Sequence, residues 1–205
     1  MTVERPRRDS AEPFAPPPAE EELATLYARL VAKAEDEGLV DVAYRTIDTP
    51  VGTLLLAATP SGLARVAYER EGLDAVLRSL AGKISPRVLR APRRLDEAAR
   101  QLEDYFFGRR TAFDLPLDLS LPAGFRRSVL AYLPAIRYGE TASYQSVAAA
   151  VHNPKAVRAV GTACATNPLP VVIPCHRVIR SDGQLGAYLG GPEIKHKLLE
   201  LEAQR

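Results

Sequence analysis

The sequence contains no tryptophan, one methionine, two cysteines and three histidines. Two cysteines, Cys164 and Cys175, are too few for a disulfide-stapled scaffold, and they form no zinc-type ligand pattern with the three histidines. No apolar run approaches the ~18 residues of a membrane-spanning helix. The charged N-terminus is not followed by the apolar stretch of a signal peptide. We therefore expect no metal, no membrane partner and a reducing, cytoplasmic setting.

The charge is small in total but unevenly distributed. The formal net charge is +2, yet Pro122 to Arg205 carries ten lysine and arginine residues against five acidic ones. The preceding part of the chain is therefore net negative. A near-neutral protein with a basic C-terminal half can bind a polyanion through that half alone. At 205 residues and 46% hydrophobic composition, the chain can form one large domain or two small ones.

The first 38 residues differ in composition from the rest of the chain. Residues 1–18 are charged and contain five prolines, so we expect a flexible tail that cannot bury enough apolar surface to order itself. Apolar residues from Leu23 to Ala34 then recur at helical spacing, and Gly38 stands where such a helix would end. We predict a tail and an appended helix over residues 1–38.

The next segment alternates apolar and polar residues with a period of two, which is typical of half-buried strands. Short turns with proline and glycine separate three such runs, so we expect an antiparallel meander followed by two helices. The predicted elements are Val40 to Ile47, Thr53 to Thr59, Leu63 to Tyr68, Asp74 to Ala81 and Leu95 to Phe107. With an extended exit segment, Thr111 to Leu121, they make a predicted domain of residues 39–121.

Residues 122–205 are predicted to form a second, mainly helical domain. Ser143 can cap a short helix that runs to Val151. Asn153 followed by Pro154 is typical of a cap with proline at the first helical position, which starts a further helix ending near Ala165. The two helices form a candidate helix-turn-helix. An ordinary corner between two helices, with no role in DNA binding, is the alternative.

One cysteine has neighbours that suggest chemistry. Cys175 lies between two apolar runs and is followed directly by His176 and Arg177. A buried, inert cysteine is the simplest interpretation. However, an imidazole and a cation nearby can lower the pKa of a thiol and make it reactive. Both interpretations stay open on these residues alone.

The last predicted helix adds a carboxylate to this cluster. Gly191 and Pro192 open the helix, and its apolar residues share a face with Glu202, whereas Glu200 falls on the opposite, solvated side. An acidic residue on a buried face needs a partner, and a histidine can provide one. The pattern therefore predicts a Cys–His–Glu relay of the type that activates other nucleophiles.

The segment Pro174 to Val178 resembles the active-site signature of the O6-alkylguanine-DNA alkyltransferases. Further matches are Gly139 to Tyr144, Asn153 to Ala156, Arg158 to Gly161, Asn167-Pro168 and Tyr188 to Gly191. The resemblance covers the whole C-terminal domain and, more loosely, the strands from Val42 onward. It implies an α/β N-terminal domain of ribonuclease-H-like fold with an antiparallel sheet and a largely structural role. A helical, winged-helix or helix-turn-helix-like alkyltransferase domain follows.

The resemblance also implies an activity. Family members repair DNA by direct reversal: the alkyl group, typically methyl, moves irreversibly from O6-alkylguanine to a cysteine of the protein, which acts once. O4-alkylthymine is expected as a second substrate. The family binds the minor groove of double-stranded DNA and flips the damaged nucleotide out of the stack. No cofactor is expected. We expect a monomer, and cooperative binding on DNA is left open.

The site residues implied by the resemblance fall into three groups. Those with catalytic roles are Cys175 (acceptor), His176 (proton acceptor), Glu202 (partner of the imidazole), Asn167 (hinge), Tyr144 (donor to the departing guanine) and Lys195 (support of that tyrosine). Those facing DNA are Arg158, which replaces the flipped base in the stack, with Tyr144, Lys155, Ala156 and Ala159. Those lining the base pocket are Pro170, Val178, Tyr188 and Leu189.

Two departures from the family pattern lie in that pocket. Leu189 stands where several relatives have a small or hydroxylic residue, and Ala187 replaces a position that is commonly polar or glycine. The size of alkyl group that fits is therefore open. Alternative functions are a non-catalytic protein that recognises alkyl damage, an alkylation-responsive regulator and a thiol hydrolase. The first of these would lack the reactive cysteine, and the second would need a further regulatory domain.

Overall fold

The computed structural model describes residues 19–204, so the predicted tail lies outside the described residues. The predicted appended helix, α1, spans Glu20–Asp36 and ends before Gly38, whose φ of 65° only glycine adopts readily. The helix buries no residue completely. The Tyr27 hydroxyl donates to the carbonyl of Arg90 at 3.2 Å, and this bond ties α1 to the rest of the fold.

The three predicted strands are confirmed and form an antiparallel meander. They are β1 (Val42–Thr49), β2 (Gly52–Thr59) and β3 (Gly62–Tyr68). A fourth strand, β4 (Val88–Arg90), pairs in parallel with β1, so the sheet is mixed and its order is β3-β2-β1-β4. The sequence analysis did not predict β4, because three residues are too short for a pattern to be visible.

The two helices predicted for this part of the chain are also present. Helix α2 spans Leu73–Lys83 and helix α3 spans Asp96–Phe106. The predicted extended segment continues along the edge of the sheet, where Leu117 forms an isolated parallel bridge with Leu63. Because α3 buries Leu102 and Tyr105 completely, one of its faces packs into the core.

The rest of the described chain is mainly helical. Its helices are α4 (Phe125–Tyr132), α5 (Tyr144–Ala150), α6 (Val157–Ala165) and α7 (Pro192–Ala203). A short parallel pair, β5 (Ala142–Ser143) with β6 (Val178–Ile179), joins the start of α5 to the segment that follows Cys175. As predicted, Ser143 caps α5 by accepting from the amide of Ser146 at 2.9 Å.

The predicted start of the second helix of the pair is wrong. Helix α6 begins at Val157, and Asn153 is not its cap. The amide of Ala156 donates to the carbonyl of Asn153 at 2.9 Å, which closes a separate turn containing Pro154. Proline fits the second position of such a turn as well as it fits the first turn of a helix, so the Asn-Pro pair does not distinguish the two.

One hydrophobic core runs through both halves of the chain. It includes Leu56 from β2, Tyr105 from α3, Val129 from α4, Val160 from α6 and the candidate nucleophile, Cys175. Because the halves share a core, side chains from the sheet half can reach the cysteine segment. Within residues 19–204, no helix is long and apolar enough to span a membrane.

Candidate active site

Cys175 begins a single 3-10 turn, Cys175–Arg177, that leads directly into β6. Its side chain is in the core, with 1% of the residue exposed. The Cys175 amide donates to the carbonyl of Ile173 at 2.8 Å, which holds the backbone on the approach to the turn. The thiol is therefore presented from a fixed backbone and is not on a mobile surface loop.

Asn167 links this turn to the end of α6. Its side-chain amide Nδ2 donates to Cys175 Sγ at 3.1 Å and to the carbonyl of Ile173 at 2.9 Å. Its Oδ1 accepts from the amide of Leu169 at 3.0 Å. The side-chain amide of this fully buried residue is directed at the cysteine segment, so the position of the thiol depends on where α6 ends.

The pKa of the resting thiol is high. Burial raises the pKa of Cys175 to about 11, against the opposing effects of the Asn167 hydrogen bond and the Lys195 charge. Of the two interpretations that the sequence left open, the buried thiol describes the free protein. Burial dominates, and the guanidinium of Arg177 is bonded to Glu202. The sulfur is a neutral thiol until something removes its proton.

His176 is a buried base with one free nitrogen. Its Nε2 donates to Glu202 Oε1 at 2.8 Å, whereas Nδ1 has no hydrogen-bond partner among the described residues. Burial lowers the pKa of His176, so the imidazole is neutral. Because the bond to Glu202 assigns the proton to Nε2, Nδ1 carries a lone pair and can accept a proton.

The Glu202 carboxylate is held from several sides. Arg177 donates to both of its oxygens at 2.9 Å, and the Tyr105 hydroxyl donates to Oε1 at 2.6 Å. The backbone amide of Gly139 lies 3.3 Å from Oε2. Burial alone would raise the pKa of Glu202, but the hydrogen bonds from His176 and Arg177 outweigh it and hold the pKa at about 2.

The helical phase separated Glu200 and Glu202 of α7 as predicted: Glu202 is 1% exposed, whereas Glu200 is exposed. The sequence analysis missed the roles of Arg177 and Tyr105. The sequence did contain a signal for the ion pair between Arg177 and Glu202. A carboxylate predicted to be buried needs a cation, and Arg177 directly follows the histidine assigned to Glu202. Tyr105 comes from α3, and no local pattern connects it with Glu202.

Lys195 lies inside the fold and joins two segments around the thiol. Its Nζ donates to the carbonyls of Val178, at 2.6 Å, and of Leu185. The same nitrogen lies 5.9 Å from the centre of the Tyr144 ring, so its contact with that tyrosine is with the ring. Burial raises the pKa of Tyr144 to about 12, so its hydroxyl stays protonated at neutral pH.

Residues 185–191 form a loop that the sheet half of the molecule supports. The hydroxyl groups of Tyr188 and Tyr68 are 2.8 Å apart, and Arg70 donates to the carbonyl of Gly190 at 2.8 Å. Gly186 approaches Tyr144 so closely that an added Cβ would lie 2.6 Å from the hydroxyl oxygen. The loop therefore packs directly on the tyrosine that begins α5.

The predicted pocket residues differ in exposure. Pro170 and Val178 are buried, Tyr188 is 9% exposed, and Leu189 is half-buried at the surface. His176 and Tyr188 make an edge-to-face contact with their ring centres 6.4 Å apart. Tyr188 therefore connects the histidine of the relay with the surface loop. Leu189 lines a cleft that also reaches the end of α6.

Apart from Tyr144, which is half-buried at the start of α5, the predicted DNA-facing residues are on the surface of α6 and the turn before it. Lys155, Arg158 and Ala159 are exposed and Ala156 is half-buried, while the opposite face of α6 buries Val160, Ala163 and Cys164. The Arg158 guanidinium makes no hydrogen bond or ion pair with any described residue. Arg158 is thus the one cation of helix α6 itself, and Lys155 lies in the turn before it.

Within residues 19–204, no three histidine, cysteine, aspartate or glutamate side chains come close enough together to hold a metal ion. The polar groups around Cys175 are bonded to one another instead. Apart from Cys175, the described chain contains one other cysteine, Cys164, whose pKa is also raised by burial.

The chain matches two domain models of one family. The ribonuclease-like domain of 6-O-methylguanine DNA methyltransferase matches residues 42–119, and the DNA binding domain of the same family matches residues 124–204. The chain is 42% identical over 165 residues to the methylated-DNA–protein-cysteine methyltransferase of Methanosarcina barkeri, covering 78% of this chain and 96% of that protein. It is 39% identical over 163 residues to the constitutive methyltransferase of that name from Bacillus subtilis, covering 78% and 94%.

A solved structure extends the similarity to three dimensions. The chain superposes on Mycobacterium tuberculosis OGT in complex with DNA with a TM-score of 0.68 and 39% sequence identity. The match covers 78% of this chain and 92% of that one.

Proposed function

The chain belongs to the 6-O-methylguanine DNA methyltransferase family, and from this membership we propose that Cys175 is the residue that accepts the alkyl group. The activity of the protein is that of a methylated-DNA–protein-cysteine methyltransferase, which repairs DNA by transferring an alkyl group from guanine to the protein itself. The observation that carries the assignment is the contact of Cys175 Sγ with Asn167, beside a histidine that is bonded to a buried carboxylate. The other described cysteine, Cys164, has no such surroundings.

The proton of the thiol is assigned to His176. Nδ1 is the free, unprotonated nitrogen of this imidazole, so it can take the proton of Cys175 through one water molecule. The imidazolium that forms is stabilised by Glu202, which is kept ionised by Arg177 and Tyr105. Because burial raises the pKa of the thiol to about 11, this proton transfer is unfavourable in the free protein, and we propose that substrate binding promotes it.

The transfer step then balances without a cofactor. The Cys175 thiolate attacks the carbon attached to guanine O6, a carbon–sulfur bond forms, and the carbon–oxygen bond breaks. Guanine leaves with the bonding electrons. Tyr144, whose hydroxyl stays protonated at neutral pH, is the group assigned to donate a hydrogen bond to the departing guanine. The product thioether is stable, which makes the reaction irreversible and single-turnover. O4-alkylthymine is proposed as a second substrate of the same step.

The finer features of DNA binding are also proposals. We assign α6 to the minor groove, because its exposed face is small enough to approach a narrow groove and carries one long cation. Arg158 is proposed to occupy the stack after the damaged nucleotide has flipped into the pocket of Pro170, Val178, Tyr188 and Leu189. A monomeric state, cooperative binding on DNA and a cytoplasmic location stay predictions.

The intact mass of the protein tests the assignment. After incubation with duplex DNA containing O6-methylguanine, we expect one added methyl group, about 14 Da, located on Cys175 by peptide mapping. The Cys175→Ser variant should gain no mass and still bind DNA, whereas Cys164→Ser should gain it normally. If the Cys175→Ser variant were methylated as much as the unaltered protein, the assignment would be contradicted. If only the Cys164→Ser variant lost methylation, Cys164 would be the acceptor.

The alternative functions are not favoured. A non-catalytic damage-recognition protein would have no use for the cysteine or for a neutral histidine with a free nitrogen next to it in sequence. A transcriptional regulator would need a further regulatory or DNA-reading module, and the two matched domains account for nearly all of residues 42–204. Methyl transfer to Cys175 would exclude the non-catalytic protein, and tight, salt-insensitive binding to a single DNA sequence would be needed to favour the regulator.

A further inference from the structure

A cleft of about 520 Å³ lies between the two halves of the molecule, next to the candidate active site. Helix α2 forms one side, and the first turn of α4 and the end of α6 form the other. Its lining includes Leu189, from the pocket loop, and Thr166, the residue directly before Asn167. A group bound in this cleft would therefore lie beside the pocket loop and the end of α6.

The cleft has an excess of positive charge. Four charged side chains line it: Arg65, Glu71, Lys83 and Arg126. Arg65 forms an ion pair with Glu71 and also donates to the carbonyls of Asn167 and Pro168, so these two charges cancel within the fold. The two remaining cations leave the cleft with a net charge of +2.

These two cations have no partner within the described residues. Neither Lys83 nor Arg126 makes an ion pair or a side-chain hydrogen bond there, and Arg126 Nε is shielded from solvent without an acceptor. A shielded N–H without an acceptor is unfavourable, and more so in a charged group, so the site favours a ligand with anionic oxygens. A guanidinium fork matches the geometry of a phosphate, and Lys83 adds a point charge.

The position of Arg126 adds a further preference for an anion. It is in the first turn of α4, where the helix dipole favours negative charge, and Gly124 supplies no side-chain cap to that end of the helix. Glu71, the acidic group of the cleft, is neutralised by Arg65. The cleft therefore has no unpaired negative charge that would repel an anion. Its two unpaired cations come from different halves of the molecule.

We propose that this cleft binds a phosphodiester group of the damaged DNA strand through Arg126 and Lys83. The inference rests on the proposed function, because it takes the strand next to Leu189 and Thr166 to be the one that delivers the flipped nucleotide. It assigns the ribonuclease-like half a direct contact with DNA, through Lys83 at the end of α2. DNA binding then involves both halves of the chain and is not confined to α5 and α6.

The salt dependence of DNA binding tests this proposal. In the double variant Arg126→Gln/Lys83→Gln, the slope of log K against log[salt] for a long duplex should become shallower by about 0.9, the value for one phosphate that is no longer neutralised. Affinity at low salt should fall by roughly 10-fold or more, since each lost contact removes released counterions. The matched control, Arg127→Gln/Lys197→Gln, removes the same charge outside the cleft and should keep the original slope.

Three outcomes would overturn the proposal. An unchanged slope in the Arg126/Lys83 variant would show that the cleft does not contact DNA. An equal change of slope in the control variant would show that the effect depends on net charge and not on the cleft. Thermal stabilisation by inorganic phosphate that is lost in the double variant, with the DNA slope unchanged, would assign the cleft to a free anion. Failure of the proposed function is seen separately, as absence of methyl uptake by the unaltered protein.

Discussion

The polar side chains of the relay around Cys175 are buried and paired, whereas the cation on the outer face of α6 is exposed and unpaired within the described residues. His176 and Glu202 are at most 1% exposed, and Glu202 is held by three other side chains. Arg158 is exposed and has no side-chain partner within residues 19–204. Proton transfer requires fixed distances and the exclusion of competing water, whereas binding to DNA requires charges that are free to pair with it. The following experiments test this contrast, starting with the largest expected effect.

The Glu202→Gln variant should lose the most stability. Glu202 has its pKa lowered to about 2, so its charge stabilises the fold fully above its ordinary value of 4.5 and loses that effect as the pH falls towards 2. Removing the charge leaves Arg177 buried without its counter-ion, at a cost of about 3 kcal/mol in the free energy of unfolding at pH 7. Chemical denaturation measures this cost.

The matched control for this change is Glu200→Gln, on the exposed side of the same helix. Its effect should be within about 0.5 kcal/mol, because its partner His196 is also on the surface. A larger loss for Glu200 than for Glu202 would mean that the buried relay does not carry the stability assigned to it.

The thiol itself should titrate far above the usual range. With a pKa of about 11, Cys175 in the free protein forms roughly 100-fold less thiolate at neutral pH than an unperturbed cysteine. Because the folded state keeps the proton, the stability gained by burial is full below the ordinary value of 9 and is lost as the pH rises through 11. The difference in ultraviolet thiolate absorbance between the protein and Cys175→Ser gives this titration. A midpoint at or below pH 8.5 would contradict a burial-dominated thiol.

Tyr105→Phe tests whether the ribonuclease-like half takes part in the relay. Loss of its hydrogen bond to the Glu202 carboxylate should cost about 2 kcal/mol of stability, as for other bonds to charged groups. It should also raise the pKa of Glu202, so that acid unfolding begins at a higher pH. Tyr132→Phe removes a hydroxyl with no partner in the described chain and should change neither quantity. A stability loss without the shift in acid unfolding would reduce Tyr105 to a packing role.

Arg158→Ala should have the smallest effect, and on one substrate only. If Arg158 replaces the flipped base, its loss should slow repair of O6-methylguanine in duplex DNA by roughly 10-fold, equivalent to ~1.4 kcal/mol. Transfer from a free O6-alkylguanine base needs no flipping and should change little. Lys197→Ala, on the outer side of α7, controls for net charge. Equal losses on both substrates would mean that Arg158 supports the pocket and does not enter the duplex.

The sequence predicted those parts of the molecule that repeat a local pattern. The three-stranded meander follows from the alternation in β1 to β3, and Glu202 was distinguished from Glu200 by its helical phase alone. The start of α6 was predicted incorrectly, because Asn153 and Pro154 are equally suited to a helix cap and to a turn. β4 was missed because it is short and pairs with a strand far away in sequence.

Contacts between distant segments were beyond any local pattern. Tyr105 and Glu202 are 97 residues apart, and the bond between them depends on how α3 packs against α7. The direction in which the pKa of Cys175 shifts stayed open in the sequence, because adjacency in sequence does not show where a side chain points. Arg177 is adjacent to His176 in sequence, but its guanidinium is bonded to Glu202, and burial determines the pKa of the thiol.

The close packing of the pocket loop limits how this protein could be redesigned for other alkyl groups. A side chain at Gly186 would collide with Tyr144, and one at Gly191 would overlap the guanidinium of Arg70. Both glycines also have positive φ, at 68° and 96°, which other residues adopt at a cost. A mutant library directed at substrate range should therefore keep these two positions fixed and place its diversity at Ala187 and Leu189.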